Sequence, residues 1–230
     1  MIADHLHQVR ARIATATRRA GRPDDGVRLL AVSKTFDAPT VRAAFEAGLT
    51  AFGENYVQEG VAKIEALADL RGRIEWHCIG PLQSNKTRAV AEHFDWVHSI
   101  DRLKIAERLS EQRPDAMPPL QVCLQINVDG GANKSGASAD EALALAQAVA
   151  SLPRLRLRGL MAIPEPAADF DAQRALFLRA RGVYDRIRDS GIALDTLSLG
   201  MSADLEAAIA AGSTMVRVGT AIFGGRAKPA

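Results

Sequence analysis

Short apolar runs alternate with amphipathic segments along almost the whole chain, and this rhythm constrains the fold more than any other feature. The runs of strand length are Val27–Ser33, Thr50–Gly53, Ile74–Ile79, Trp96–Ser99, Leu120–Val128, Leu155–Ile163, Leu194–Leu199 and Thr214–Val218. Between them lie helix-like segments at Thr40–Ala47, Val57–Leu67, Ser84–His93, Leu103–Gln112, Ala139–Leu152, Phe170–Asp189 and Ala203–Ala211. Runs that stay apolar without alternating mark strands buried on both faces. Strands that alternate with helices pair in parallel through right-handed crossovers. Eight such units in 230 residues predict a single α/β domain, a (β/α)8 TIM barrel slightly below the usual ~250 residues. A doubly wound open sheet competes, but no G-x-G-x-x-G follows the first run to favour a dinucleotide fold. The opening "MIADHLHQVRARIATATRRAG" reads as an extra N-terminal helix over residues 1–22, with Leu6, Val9 and Ile13 on one face. The barrel then occupies residues 27–226, and Pro114, Pro118 and Pro119 mark a loop within it.

Composition excludes several function classes. The formal net charge is +2, which gives no argument for a nucleic-acid or membrane partner. No stretch reaches membrane-spanning length, and the first residues are too charged for a secretory signal. The two cysteines, Cys78 and Cys123, sit in apolar runs and read as buried, reduced thiols of a cytoplasmic protein. The five histidines form no ligand-spaced cluster with them, so no metal site is expected.

In such a barrel the chemistry sits where strands end and helices begin. Lys34 follows the first run, in "LLAVSKT". "GENYVQE" carries Glu54, Asn55 and Tyr56, and "HCIGPLQSNK" carries His77, Gly80, Gln83, Ser84 and Asn85. Ser99, Asn127 and Met161 with Ile163 end the next three runs. The rim is glycine-rich and poor in acids, which argues against a hydrolase built on paired carboxylates.

The last two turns, "LGMSAD" and "VRVGTAIFGG", place Gly200, Ser202, Gly219 and Thr220 where barrels bind phosphate, at the loops after strands seven and eight. Ser202 also suits a plain helix cap, and Asp204 would repel an anion there. Arg217 lies inside the last short strand, so its guanidinium needs partners: an internal salt bridge, with Glu75 one candidate, or an aimed donor to a ring nitrogen or anion. Because strand eight closes onto strand one, the cradle, Arg217 and Lys34 share one wall. Lysine amines form Schiff bases with carbonyls once deprotonated, and a nearby cation favours the free amine. A phosphate site, an amine and an arginine at a ring meet the demands of pyridoxal 5'-phosphate (PLP).

Taken in order, "LLAVSKT", "FGENYVQE", "WHCIGPLQSNK", "LRGLMAI", "LGMSAD" and "VRVGTAIFGGR" resemble the pyridoxal phosphate homeostasis protein family, which is similar to the barrel domain of alanine racemase standing alone. The resemblance runs from about Val27 to Arg226. It implies a Schiff-base lysine at Lys34. It implies phosphate contacts from Ser202, Gly219, Thr220 and backbone near Met201, and Arg217 at the pyridine nitrogen. Asn55, His77 and Asn127 would line the pocket, with Met161 near the cofactor. The chain departs from the family's usual residues at Phe36 and Cys78 and in "VDGGANKSG", whose Lys134 reads as a solvated loop charge. Arg154, Arg156 and Arg158 read as a basic face at the barrel bottom.

An arginine at the pyridine nitrogen implies weak carbanion chemistry. The second, all-β domain that gives the related racemases a tyrosine base is not expected here. Tyr56 is then the lone substitute, with packing under a loop as its other role, because Tyr184 falls mid-helix on the outer ring. The first expectation is therefore a monomeric cytoplasmic protein, non-catalytic or barely catalytic, that holds PLP as a Lys34 aldimine, buffers it and delivers it to PLP-dependent apoenzymes. A stand-alone amino-acid racemase is the alternative. A Schiff-base aldolase is a third reading, though Glu54 is the only clear acid/base carboxylate near the lysine.

Overall fold

The computed structural model describes residues 1–130 and 135–225. Eight parallel strands close into a barrel in the order β1-β2-β3-β4-β5-β6-β7-β8. They are β1 (Arg28–Val32), β2 (Ala51–Glu54), β3 (Glu75–Cys78), β4 (Trp96–Ile100), β5 (Leu120–Gln125), β6 (Leu155–Met161), β7 (Thr196–Ser198) and β8 (Met215–Val218). Closure is made by β1 on β8, with Leu30 opposite Arg217 and Ala31 opposite Val218. The open-sheet alternative is excluded.

The helices are α1 (Ile2–Arg19), α2 (Ala38–Glu46), α3 (Val57–Ala66), α4 (Thr87–His93), α5 (Leu103–Gln112), α6 (Ala142–Ala150), α7 (Phe170–Asp189), α8 (Leu205–Ala210) and α9 (Thr220–Phe223). Leu6, Val9 and Ile13 are the buried stripe of α1, as the heptad spacing predicts. That helix lies outside the barrel against α8 and α9.

Strand alternation divides the core in two. Outward positions such as Ala31, Phe52, Val97, Val122, Leu160, Leu197 and Val216 join the apolar shell beneath the helices. Inward positions form two smaller interior clusters, Leu30–Ala51–Ile79–Met215 and Trp96–Cys123–Met161. Cys78 and Cys123 are buried and free, and Tyr184 sits in the outer shell. Arg154 and Arg158 stand at the start of β6, paired with Asp115 and Asp195, and Arg158 also lies over the Trp96 ring at 4.7 Å. Two of the three arginines of the basic bottom face are therefore tied into ion pairs, and Arg156 is exposed.

Two expected strands end early. The fifth stops at Gln125: the Ile126 N–H still donates to the Met161 carbonyl of β6 at 2.9 Å, but beyond it the chain pairs with Ala137, and the Asn127 carboxamide accepts from the Asp129 and Gly130 N–H groups. That makes a side-chain-capped turn in place of a ladder. The sixth stops at Met161 before Pro164. It also carries a register shift, and a Cβ on Gly159 would stand 1.6 Å from the Thr196 carbonyl oxygen, so only glycine fits that approach. Residue 226 and Lys134 lie outside the described residues.

Candidate functional site

The C-terminal mouth of the barrel gathers most of the expected residues. Lys34 is half-buried in the turn between β1 and α2. Both of its neighbours are held by α3. The Ser33 carbonyl accepts from Lys63 Nζ at 2.7 Å, and the Thr35 N–H donates to Glu59 Oε1 at 2.5 Å. Thr35 is the one non-glycine residue with positive φ among the described residues, at 70°. That conformation costs on the order of 1–3 kcal/mol and persists only where the surroundings enforce it. The enforcing group is Lys63, 5% exposed. Its ammonium also meets Glu54 Oε1 at 2.9 Å and Glu59 Oε1 at 2.6 Å, so all three donors are used. Ser33 Oγ donates to the same Glu54 oxygen at 2.5 Å. Burial pushes the Glu54 carboxyl up, and the Lys63 charge opposes it. Glu54 is thus part of a structural strap and not an acid/base group beside the lysine.

The turns after β7 and β8 lie beside Lys34 around the ring. Gly200 takes φ 90°, and a Cβ there would stand 2.5 Å from the Ala208 Cβ. Its carbonyl accepts from the Arg217 N–H at 2.9 Å, locking the two turns together. Ser202 does not cap α8; Asp204 occupies the cap position. Ser202 Oγ instead faces Thr220 Oγ1 at 3.4 Å. Asp204 takes the Met201 N–H at 2.6 Å, so that amide is already spent. Thr220 opens the short α9 after Gly219, and the first N–H groups of any helical turn have no partner inside it. From outside, Arg12 of α1 holds the Ser202 carbonyl at 3.0 Å and grips Glu206, while His5 Nδ1 meets the Ile222 carbonyl at 3.0 Å. Phe36 stacks on Phe223 at 4.9 Å, joining the Lys34 turn to α9.

Arg217 is 3% exposed. Its Nη1 donates to the Ser198 carbonyl at 2.6 Å and to Ser198 Oγ at 2.8 Å, and its Nη2 donates to the Ala162 carbonyl at 3.0 Å. No carboxylate lies within salt-bridge distance of it among the described residues, so the internal pair with Glu75 is not formed. Glu75 binds Arg28 at 2.7 Å and His77 Nε2 at 2.9 Å at the opposite end of the barrel. Burial pushes the Arg217 guanidinium down to about 10, which leaves it charged at neutral pH.

Burial opposes ionisation of Glu75, but the His77 and Arg28 donors prevail and bring its carboxyl from 4.5 to about 2. A depressed carboxyl stabilises the fold above its unfolded value and loses that contribution as pH falls through the folded one. With its side chain 36% exposed, screening reduces the contribution to about 1–2 kcal/mol. Glu75→Gln is therefore expected to flatten the loss of thermal stability between about pH 4.5 and pH 2, as followed by melting curves. An unchanged pH profile would remove Glu75 from the account.

The remaining expected residues are spread more widely. His77 is fully buried inside the barrel, below the mouth, and stacks on Trp96 at 5.1 Å. Met161 is likewise fully buried, against Trp96 and Cys123. Asn127 sits at the rim with its carboxamide oxygen engaged in its own turn. Asn55 and Met201 line a cleft of about 770 Å³ at the mouth, with Gln125, Gln173 and the 163–170 loop. Tyr56 is 59% exposed, so it is not packed under a loop. Sequence reading missed Lys63, Glu59, His98 and Ser198. The available signals were a lysine next to the apolar face of α3 and the inward alternation of Trp96 with His98.

The model of the alanine racemase N-terminal domain family matches residues 5–227. The curated pyridoxal phosphate homeostasis protein of Pseudomonas aeruginosa is 60% identical over 98% of this chain and 96% of its own length. That of Escherichia coli K12 is 55% identical over 98% of this chain and 97% of its own. The chain belongs to the pyridoxal phosphate homeostasis protein family. Among solved structures, PipY of Synechococcus elongatus with PLP bound matches with a TM-score of 0.83 at 37% identity, covering 97% of this chain and 100% of that one. Alanine racemase of Corynebacterium glutamicum shares the fold at 22% identity and a TM-score of 0.65, and this chain covers 60% of it. The family fold thus accounts for the closed barrel and for Lys34, the β7 and β8 turns and Arg217 lying on adjacent strands.

Proposed function

We propose that this protein binds pyridoxal 5'-phosphate at the barrel mouth, through Lys34, and serves PLP homeostasis by holding and passing on the cofactor. One observation carries the reading: β7, β8 and β1 are consecutive around the closed ring, and they end in the Ser202–Thr220 turns, the buried Arg217 and Lys34. The names of the curated relatives and the PLP-bound PipY structure support it.

The residues present fit the group. Arg217 is a buried cation with no salt-bridge partner among the described residues, which suits a ligand that brings an anionic group or a ring-nitrogen acceptor. Glycine at 200 and 219 lets both turns pack close on the barrel, since a Cβ would stand 2.5 Å from the Ala208 Cβ and 3.2 Å from the Val32 carbonyl oxygen. Ser202 and Thr220 hydroxyls add donors. Bound there, the cofactor supplies an aldehyde that a lysine amine takes up reversibly. The chain's own part is to hold. The Lys63–Glu59 strap fixes the peptide groups on both sides of Lys34. Arg12 and His5 brace the phosphate turns from outside.

Arg217 retains its proton at Nη and so donates a hydrogen bond without protonating a ring nitrogen. An exposed Tyr56 is poorly placed as a pre-organised second base. Both observations favour storage over racemisation. We place the protein in the cytoplasm as a monomer, delivering PLP to apoenzymes. Among the described residues no helix is long and apolar enough to cross a membrane.

The test is titration with PLP followed by absorption and by borohydride reduction. Lys34→Ala is expected to lose all reducible attachment and to bind PLP at least ~10-fold more weakly, about 1.4 kcal/mol, while the phosphate turns retain residual affinity. Full retention of the reducible adduct in Lys34→Ala would refute the assignment. Rapid conversion of L-alanine to D-alanine by the loaded protein would reverse the preference for storage.

A further inference from the structure

A continuous chain of hydrogen bonds crosses the interior of the barrel from floor to mouth. Arg28 Nη2 meets Glu75 Oε1 at 2.7 Å, and the same oxygen meets His77 Nε2 at 2.9 Å. His77 Nδ1 meets His98 Nε2 at 2.9 Å, and His98 Nδ1 meets Ser198 Oγ at 3.0 Å. Ser198 Oγ accepts from Arg217 Nη1 at 2.8 Å. His77, His98 and Ser198 are fully buried, so no bulk water completes their bonding.

The hydrogens in this chain have one consistent arrangement. A carboxylate only accepts, so His77 donates from Nε2. Burial keeps both imidazoles below their ordinary range and hence neutral at neutral pH. A neutral His77 then accepts at Nδ1, which makes His98 Nε2 a donor. His98 Nδ1 must accept, so the Ser198 hydroxyl turns its hydrogen toward it. That leaves the Ser198 lone pair facing Arg217. Every donor points toward the floor, and the chain ends on the Glu75–Arg28 pair.

We propose that this directional relay makes Glu75, His77 and His98 positioning residues for Arg217, so that a carboxylate at the barrel floor sets how the guanidinium presents its donors at the mouth. The proposal rests on the reading that Arg217 faces the ring of PLP. The relay does not conduct protons to the ring, because its upper end is a guanidinium that stays charged. It works by orientation. Removing the Glu75 carboxylate orphans the buried His77 Nε2–H, which favours the other tautomer. His77 Nδ1–H would then oppose His98 Nε2–H, His98 would switch in turn and donate from Nδ1 to Ser198 Oγ, and that oxygen, now accepting from both His98 and Arg217, would have to turn its hydrogen to a new acceptor.

Two measurements test this. In the protein without added ligand, long-range 1H–15N spectra of 15N-histidine at pH 7 should show His77 and His98 both protonated at Nε2 only. The chain has five histidines, so the signals can be assigned by substitution. A Nδ1–H tautomer or a doubly protonated ring at either position would overturn the relay, whether or not the protein binds PLP. In the PLP-loaded protein, Glu75→Met should shift the pH midpoint of the bound cofactor's absorption by about 0.5–1 unit while borohydride still fixes the label at Lys34. Asp195→Asn is the control. It removes the same charge from another floor pair, at Arg158, and lies off the relay. A Glu75→Met shift no larger than that of Asp195→Asn would refute the positioning role. If Glu75→Met does not fold, the tautomer spectra of the unaltered protein decide. Failure of that protein to take up PLP would instead strike the proposed function.

Discussion

Lys63→Met is expected to destabilise the protein by about 3–5 kcal/mol, the range found when one partner of a buried pair is removed. The Glu54 side chain is 0% exposed and its Oε1 accepts a hydrogen bond from the Lys63 ammonium, while its Oε2 has no hydrogen-bond partner. Without Lys63 a carboxylate already pushed up by burial loses its cation, and its protonation on folding lowers stability further at neutral pH. The Ser33 carbonyl loses its donor in the same step, and Glu59 loses the cation that holds it under Thr35. The strained Thr35 turn is then free to relax, and Lys34 moves with it. For a chain of this length the melting temperature should fall by roughly 10 °C. PLP attachment, measured by borohydride trapping, should slow even at temperatures where the variant stays folded. A melting temperature within 2 °C or so of the unaltered protein would show that the strap contributes little.

Arg217→Met separates binding from folding. The guanidinium is fully buried, so its desolvation offsets much of what its three hydrogen bonds contribute. Methionine fills similar apolar volume. The net change in stability should therefore stay within about 1–2 kcal/mol. Affinity for PLP should fall much further. A hydrogen bond from a charged donor contributes about 1.5–3 kcal/mol, which corresponds to a 10- to 150-fold rise in Kd. The absorption of the bound ring and its pH response should change as well. Binding and spectra equal to those of the unaltered protein would mean that Arg217 serves the barrel interior alone.

The chain announces its fold because the strands of a closed parallel barrel are buried on both faces. Their sequences, such as "LLAV" and "WVHSI", need no polar alternation and stand out between amphipathic helices. Strand ends are harder to read. Asn127 continues an apolar run yet caps a turn, and Ile126 bridges Ala137 while its N–H stays on Met161 of β6, a pairing that no local pattern carries. The placement of Lys34, Arg217, Gly219 and Thr220 on adjoining strand ends follows from strand order and is legible in the sequence. The mouth is less legible where partners come from elsewhere in the chain. Glu59 and Lys63 stand at i, i+4 with no local signal of their role, and only the packed position of α3 makes them the anchor of the Lys34 turn. For Ser202 the sequence leaves a phosphate contact and a helix cap both open, because it does not reveal that Asp204 takes the cap position. His77 was expected at the pocket wall, and it stands one step inside, where it meets Glu75 and His98.

The central claim is that Lys34 is the residue that captures PLP. Its most direct test is to load the full-length protein with PLP, reduce with borohydride, digest, and map the added mass by tandem mass spectrometry. Close to one label per chain is expected, confined to the peptide containing Lys34. A label on any other lysine, or none on a folded protein saturated with PLP, would contradict that claim.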